Sequence, residues 1–251
     1  MPHVKLNPNG KTALVSGANR GIGKAIVEEL IERGASKVYA GARNIESLNG
    51  LKSEYGDKIV AVELDVTKQE TIDNVASQID HLDILVNNAG RLAIGSLIAP
   101  DAVSSLKENM DVNVWGLLKL SNAVGNHFVK ENPSVIVNIS SLAGLGNMPF
   151  GATYSVSKAA VHSITQGMRA EMIPNNTLVV GVYPGPIDTD MTDAWEMEKD
   201  SPKNVAKNIV DGIENGVEDV FPDAMSAQVG PFYATNPKAV EQQFASMGLE
   251  N

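Results

Sequence analysis

Tyr154 and Lys158 stand four residues apart in TYSVSKAAVHSI, a spacing that on a helix puts a phenol and an ammonium on one face. A free tyrosine titrates near 10, so bringing it to neutrality takes about 4 kcal/mol, and a lysine roughly 4 Å away supplies that much at an effective dielectric near 20. Such a pair could pass a proton at neutral pH. Taken alone, the same spacing is also common on solvated helix faces. GANRGIG begins at Gly17. Glycines at 17, 21 and 23 would let the backbone turn tightly and approach a pyrophosphate, whose charge meets the positive end of the following helix. The spacing G-x-x-x-G-x-G departs from the common dinucleotide fingerprint G-x-G-x-x-G.

Two further residues could take part. Ser141 follows a strand in NISS and would present a hydroxyl at the carboxyl end of the sheet, where ligands bind in open α/β folds; the plainer alternative is a serine capping a turn. Asn113 falls on or near an apolar stripe of Val103, Leu106, Met110, Leu117, Val124 and Phe128. A buried asparagine must find partners, its own helix backbone being the simplest.

The elements that would position these groups alternate in period. Short apolar runs at 12–16, 37–41, 59–64, 83–87, 134–140 and 177–183 read as strands, and their unbroken apolar centres suit strands covered on both faces. Helical segments fill the gaps at 21–33, 44–55, 68–80, 101–131, 150–173 and 201–215. The expected fold class is α/β, a doubly wound parallel sheet of six or seven strands with helices on both faces. Without a linker or composition break, residues 1–251 read as one domain. Weak periodicity and clustered charge at 188–200 suggest a substrate lid, its acidic residues being most simply a solvated face.

GANRGIG, Asp65 after the third strand, NNAG at Asn87 to Gly90, Asn113, Ser141, YSVSK at Tyr154 to Lys158 and PGPIDT at Pro184 to Thr189 occur in the order seen in short-chain dehydrogenase/reductases. The chain strongly resembles their single-domain branch, and the match spans residues 12–189; the tail beyond Thr189 matches little. The resemblance implies a Rossmann-like fold and a hydride transfer between a nicotinamide and a carbonyl or alcohol carbon. Tyr154 would be the general acid in reduction and the base in oxidation. Lys158 would depress the Tyr154 pKa and hold the nicotinamide ribose, Ser141 would hold the substrate oxygen, and Asn113 would position a water in the proton relay. Gly17, Asn19, Arg20, Gly21, Ile22 and Gly23 would cradle the dinucleotide, with Asp65 and Val66 at the adenine and Asn88 at a ribose. Thr189 and the backbone of Ile187 would hold the carboxamide. By register with the family, Ala42 stands where NAD-specific relatives carry an acid. Arg43 and Arg20 could then bind the 2′-phosphate of NADP, the expected cofactor.

Composition narrows the partners. Thirty acidic against 20 basic residues give a formal charge of -10, which opposes a nucleic-acid footprint. Absence of cysteine excludes disulfides and thiolate chemistry, and four scattered histidines, His3, His81, His127 and His162, leave little for a metal. No apolar run approaches the roughly 18 residues of a membrane span, and the start lacks a signal-peptide core, so the expected compartment is the cytoplasm. The expected partner is a small carbonyl or alcohol substrate in a pocket of Leu92, Ile94, Leu145, Met148, Phe150, Met191 and Trp195, with Arg91 the sole cation. Family relatives pair through the helices at 101–131 and 150–173, which implies a homodimer or homotetramer. His162, Trp115 and Trp195 read as packing residues. The rival reading is a non-catalytic NADP-binding regulator on the same fold; a dehalogenase or epimerase is a third, without the sequence departures those activities bring.

Overall fold

Each short apolar run becomes a strand of one parallel sheet. A computed structural model describes residues 4–128 and 132–247. In it β1 (Thr12–Ser16), β2 (Lys37–Ala42), β3 (Ile59–Glu63), β4 (Ile84–Asn87), β5 (Ser134–Ile139), β6 (Thr177–Val182) and β7 (Asp219–Val220) lie in the order β3-β2-β1-β4-β5-β6-β7. The chain runs outward from β1 to β3 and then crosses to the other side of β1 with β4. That reversal opens a crevice beyond the carboxyl ends of β1 and β4, where doubly wound folds place ligands.

Side chains alternate along each strand, so the sheet feeds two cores. On one face Ala13, Val15, Val38, Ile84 and Val86 pack with Ile26 and Leu30 of α1 (Gly21–Glu32), Leu51 of α2 (Asn49–Tyr55) and Ile209 of α7 (Pro202–Asn215). On the other, Leu14, Tyr39, Leu85, Ile136 and Val179 meet Ile72 of α3 (Gln69–Ala76), Leu120 of α5 (Leu117–Val124) and Met168 of α6 (Ala152–Met172).

The helix expected over 101–131 is corrected. It is α4 (Ala102–Met110), a π-helical turn at Asp111–Gly116, α5 and a 3-10 turn at Gly125–His127; residues 129–131 lie outside the described residues. Apolar residues three and four apart continue through a π turn, so their period does not reveal it; such turns gather at functional sites. The supposed core stripe is also narrower, since Val103 is 81% exposed and Trp115, read as packing, is 49% exposed.

Beyond residue 215 the structure adds β7, α8 (Ala224–Thr235) and α9 (Pro237–Ser246). The sequence hid them for physical reasons. β7 has two residues, and α8 carries apolar residues around its circumference with Pro231 inside it, so neither shows a one-sided pattern. Val240 and Phe244 of α9 join Leu142 and Tyr183 in a satellite cluster. A Cβ at Gly146 would lie 2.7 Å from Phe244 Cδ2. The C-terminal helix is thus pressed against the loop that follows Ser141.

Candidate active site

Tyr154 and Lys158 come from the first two turns of α6 and are 9% and 5% exposed. The Lys158 Nζ lies 5.6 Å from the centroid of the Tyr154 ring and donates to the carbonyl oxygen of Ile139, the last residue of β5, at 2.7 Å. Burial pushes the Tyr154 phenol up to about 12, with the Ser141 hydroxyl pulling the other way. Burial likewise pushes the Lys158 ammonium down to about 8. Removing each group from water favours its neutral form.

Ser141 caps a turn, the plainer of its two readings. Its Oγ accepts from the Ala143 N–H at 3.1 Å, capping the turn Leu142–Gly144, and donates to the Pro184 carbonyl at 3.3 Å. The same hydroxyl stands against Tyr154.

Asn113 bonds neither its own helix nor the phenol. Its Oδ1 accepts from the Arg91 N–H at 2.8 Å, while Nδ2 donates to the Arg91 carbonyl at 3.0 Å and to Ser157 Oγ at 2.9 Å. Asn109, one turn earlier, grips Ala93 and Thr153 in the same way. The two asparagines therefore tie the segment 91–93 and α6 together across the site. Both amide hydrogens of Asn113 are engaged. Ser157, inside YSVSK, was not singled out from the sequence; its spacing of one residue from Lys158 was the available signal.

The glycine loop has the backbone a dinucleotide requires. Gly17 and Gly21 adopt φ of +66° and +52°, values that favour glycine. A Cβ on Gly23 would sit 2.2 Å from the Gly17 carbonyl and 2.3 Å from Asn88 Nδ2. Asn88 Nδ2 donates to the carbonyls of Ser16 and Gly17 at 2.9 and 3.1 Å, so this side chain clamps the loop. Asn19 and Ile22 are half-buried within it. The first turn of α1 carries no acidic residue, leaving its N–H groups and positive dipole end to an anion. These features fit a dinucleotide pyrophosphate.

At the far end, Ala42 closes β2 with 2% exposure and Arg43 beside it is exposed. Burial raises Asp65, but hydrogen bonds from Thr67 and the charges of Lys68 and Arg43 hold its carboxyl below the usual range. Val66 is buried behind it. Arg20 is not free: NH1 meets Asp190 Oδ2 at 2.5 Å. Asp190 remains 71% exposed in this pair, as a solvated face requires.

The segment 188–200, expected as a lid, is tied together at its two ends. The Asp188 N–H donates to the Asp200 carbonyl at 2.9 Å, and the Asp200 N–H to Pro186 at 3.1 Å. Ile187 is buried there, and Thr189 Cγ2 comes within 3.0 Å of a Cβ position on Gly21. Within that segment, Trp195 meets Phe150 edge-on with centroids 5.9 Å apart, joining two expected pocket residues. Leu145 and Met148 instead pack under the C-terminal cluster, and Arg91 pairs with Glu108. His162 is a packing residue, its Nδ1 2.7 Å from the Tyr183 hydroxyl. Among the described residues no helix is long and apolar enough to cross a membrane.

Comparison with known proteins agrees with this geometry. The sequence pattern of the short chain dehydrogenases matches residues 11–200. An uncharacterized oxidoreductase of Staphylococcus epidermidis is 34% identical over 203 residues, covering 78% of this chain and 87% of that protein. A short-chain dehydrogenase of Burkholderia cenocepacia, solved in complex with NADP, superposes with a TM-score of 0.86 at 33% identity, over 95% of this chain and 99% of that one. A 3-ketoacyl-(acyl-carrier-protein) reductase of Brucella melitensis, complexed with NADH, gives 0.73 at 26% identity over 84% and 93%. With the glycine loop, the parallel sheet and the buried tyrosine and lysine in place, this chain belongs to the short-chain dehydrogenase family and is an oxidoreductase.

Proposed function

We propose that the protein reduces the carbonyl of a small, uncharged ketone or aldehyde with NADPH. The observation that carries this reading is the Tyr154 phenol, buried beside Ser141 and held protonated by that burial. A phenol that keeps its proton through the neutral range can serve as the general acid towards a bound carbonyl. Gly17, Gly21 and Gly23 would hold the pyrophosphate of a nicotinamide dinucleotide, which when bound would supply the hydride. The Ser141 hydroxyl would turn its one hydrogen from the Pro184 carbonyl to the substrate oxygen, and Tyr154 would deliver its proton to that oxygen as negative charge develops. Lys158, with its charged form disfavoured by burial, readily passes a proton on and replenishes the phenol. Asn113 holds the frame through Arg91 and Ser157, and its backbone is the part left to position a water. Asp65, Asn88, Ile187 and Thr189 surround the remainder of the cofactor.

The preference for NADPH is supported by Ala42, which presents no carboxylate to repel a 2′-phosphate, and by the exposed Arg43 next to it. The NADP-bound Burkholderia relative points the same way. An apolar substrate is supported by the exposed side chains of Ile94, Phe150 and Met191 around the mouth and by the acidic lid, which would repel anions. Assembly as a homodimer or homotetramer is supported by Val103 and Trp115, large apolar side chains left exposed on the broken helix.

The test follows absorbance of the reduced cofactor with a panel of carbonyl compounds, each with NADPH and with NADH. Neutral ketones or aldehydes should consume NADPH, with pyruvate slower than a matched neutral ketone. Equal efficiency with both cofactors would overturn the NADPH assignment. Cofactor binding without turnover on any carbonyl would favour the regulator reading.

A further inference from the structure

The tail beyond Thr189 reaches Ser141 through one peptide unit. Pro184 and Gly185 follow β6, and the peptide that joins them is trans, so its C=O and N–H point in opposite directions. On one side the Pro184 carbonyl accepts from Ser141 Oγ at 3.3 Å and from the Leu142 N–H at 3.1 Å. On the other the Gly185 N–H donates to Asp223 Oδ2 at 2.8 Å. So close an approach needs glycine, since a Cβ on residue 185 would lie 2.9 Å from Asp223 Oδ1.

Asp223 is the N-cap of α8 and is 4% exposed. Its Oδ1 accepts from the Ser226 N–H at 2.9 Å, and the Ser226 hydroxyl stands 2.7 Å from Oδ2. Capping asks for one acceptor, which serine or asparagine supplies without a charge. A buried carboxylate is the costlier choice, and among the described residues this one pairs with no lysine, arginine or histidine. The positive end of α8 offsets part of that cost. What the carboxylate adds to a neutral cap is a second, charged oxygen on Gly185. A peptide N–H bonded to an anion is polarised, and its carbonyl becomes a stronger acceptor. Ser141 has one hydrogen to place. One of its lone pairs takes the Ala143 N–H, the hydrogen goes to the Pro184 oxygen, and the other lone pair is left for the Tyr154 phenol.

We propose that Asp223 is a positioning residue for Ser141: through the Pro184–Gly185 peptide, its carboxylate fixes where the Ser141 oxygen sits and which way its hydrogen points in the free protein. Phenol, hydroxyl, peptide and carboxylate then form one chain of donors running from Tyr154 to Asp223. Asp223 itself touches no substrate. A bound carbonyl would compete for the one Ser141 hydrogen from an oxygen already in place, a consequence that rests on the reductase reading above. The link from Asp223 to Ser141 is measurable without turnover.

The test uses the full chain and two variants of one helix cap. Asp223→Ser keeps a capping hydroxyl but is too short to reach Gly185, whereas Ser226→Ala weakens the cap and leaves the Gly185 bond. Amide hydrogen exchange followed by NMR should show the Gly185 and Ala143 N–H groups exchanging about tenfold faster in Asp223→Ser, the size of one hydrogen bond to a charged group. Ala143 bonds Ser141 Oγ, so it reads the transmitted effect, and it should keep its rate in Ser226→Ala. Carbonyl reduction in Asp223→Ser should lose about tenfold in kcat/KM, carried by kcat, with NADPH affinity retained. The same substitution in a Ser141→Ala background should cost less than about twofold, because its effect passes through that hydroxyl. A weakened fold would cost as much in either background. Should Asp223→Ser fail to fold, Asp223→Asn, which keeps the shape and a capping oxygen without the charge, should move the same readouts in the same direction. An Ala143 amide unmoved in the folded variant, full additivity with Ser141→Ala, or a loss carried by NADPH affinity alone overturns the proposal. Amides that respond in a protein that reduces no carbonyl would leave the link from Asp223 standing and remove the reductase reading instead.

Discussion

Lys158 Nζ donates to the carbonyl oxygen of Ile139 at 2.7 Å inside a core where both residues are more than nine-tenths buried. That single bond does not repay the loss of hydration, and burial lowers the ammonium from 10.5 to about 8. The folded state therefore disfavours the charge. The penalty is absent above the unfolded value near 10.5, grows as pH falls from there towards 8, and is complete below 8. A shift of this size corresponds to about 3 kcal/mol. Lys158→Met keeps the apolar stem and cannot be charged, so its stability relative to the unmodified chain should be more favourable at pH 7 than at pH 10.5 by about that amount. Urea unfolding of both proteins at the two pH values measures it, and a pH-independent difference would contradict the assignment.

Tyr154→Phe removes the transferable proton and leaves the ring. Turnover should fall by about 10² to 10⁴ while cofactor binding survives. Stability should change by only about 1 kcal/mol, since Ser141 loses one partner. In the unmodified protein, reduction should not need an ionised Tyr154, whereas oxidation of the alcohol should accelerate as pH rises towards the raised phenol pKa. Near-normal turnover in the phenylalanine variant would remove Tyr154 as the acid.

Asn113→Ala leaves the Arg91 backbone and Ser157 without their partner. The expected cost is about 3 kcal/mol from buried groups left unpaired. Asn109→Ala should cost a similar amount, and the double variant less than the sum, because both asparagines hold the same segment against α6. Denaturant unfolding of the three variants checks this; strict additivity would show that the two tethers act independently.

Asp190 competes for the arginine that the 2′-phosphate would use. The pair is well exposed, 56% and 71%, so it is worth up to about 1 kcal/mol and weakens with salt. Asp190→Asn should tighten NADPH binding by up to about fivefold at low ionic strength and leave NADH nearly unchanged. Ala42→Asp with Arg43→Ala should move preference the other way, towards NADH. Fluorescence titration with each cofactor distinguishes the two arms.

Period and local chemistry were enough for much of this protein. The strands at 12–16 and 177–183 were legible because unbroken apolar runs of that length suit a sheet covered on both faces, and the glycine loop because only glycine tolerates the positive φ of Gly17 and Gly21. Spacing alone also placed Tyr154 and Lys158 on one helix face. Their ionisation was a different matter. It depends on how much water the fold removes, a long-range consequence of α6 packing against β5 that spacing does not carry. The π turn at Asp111–Gly116 was invisible because its apolar residues keep helical spacing. The Asn113 tether, the Arg20–Asp190 pair and the Gly185–Asp223 bond each join atoms from segments far apart in the chain. Such contacts exist only once the sheet has brought those segments together, so the tertiary structure alone could decide them.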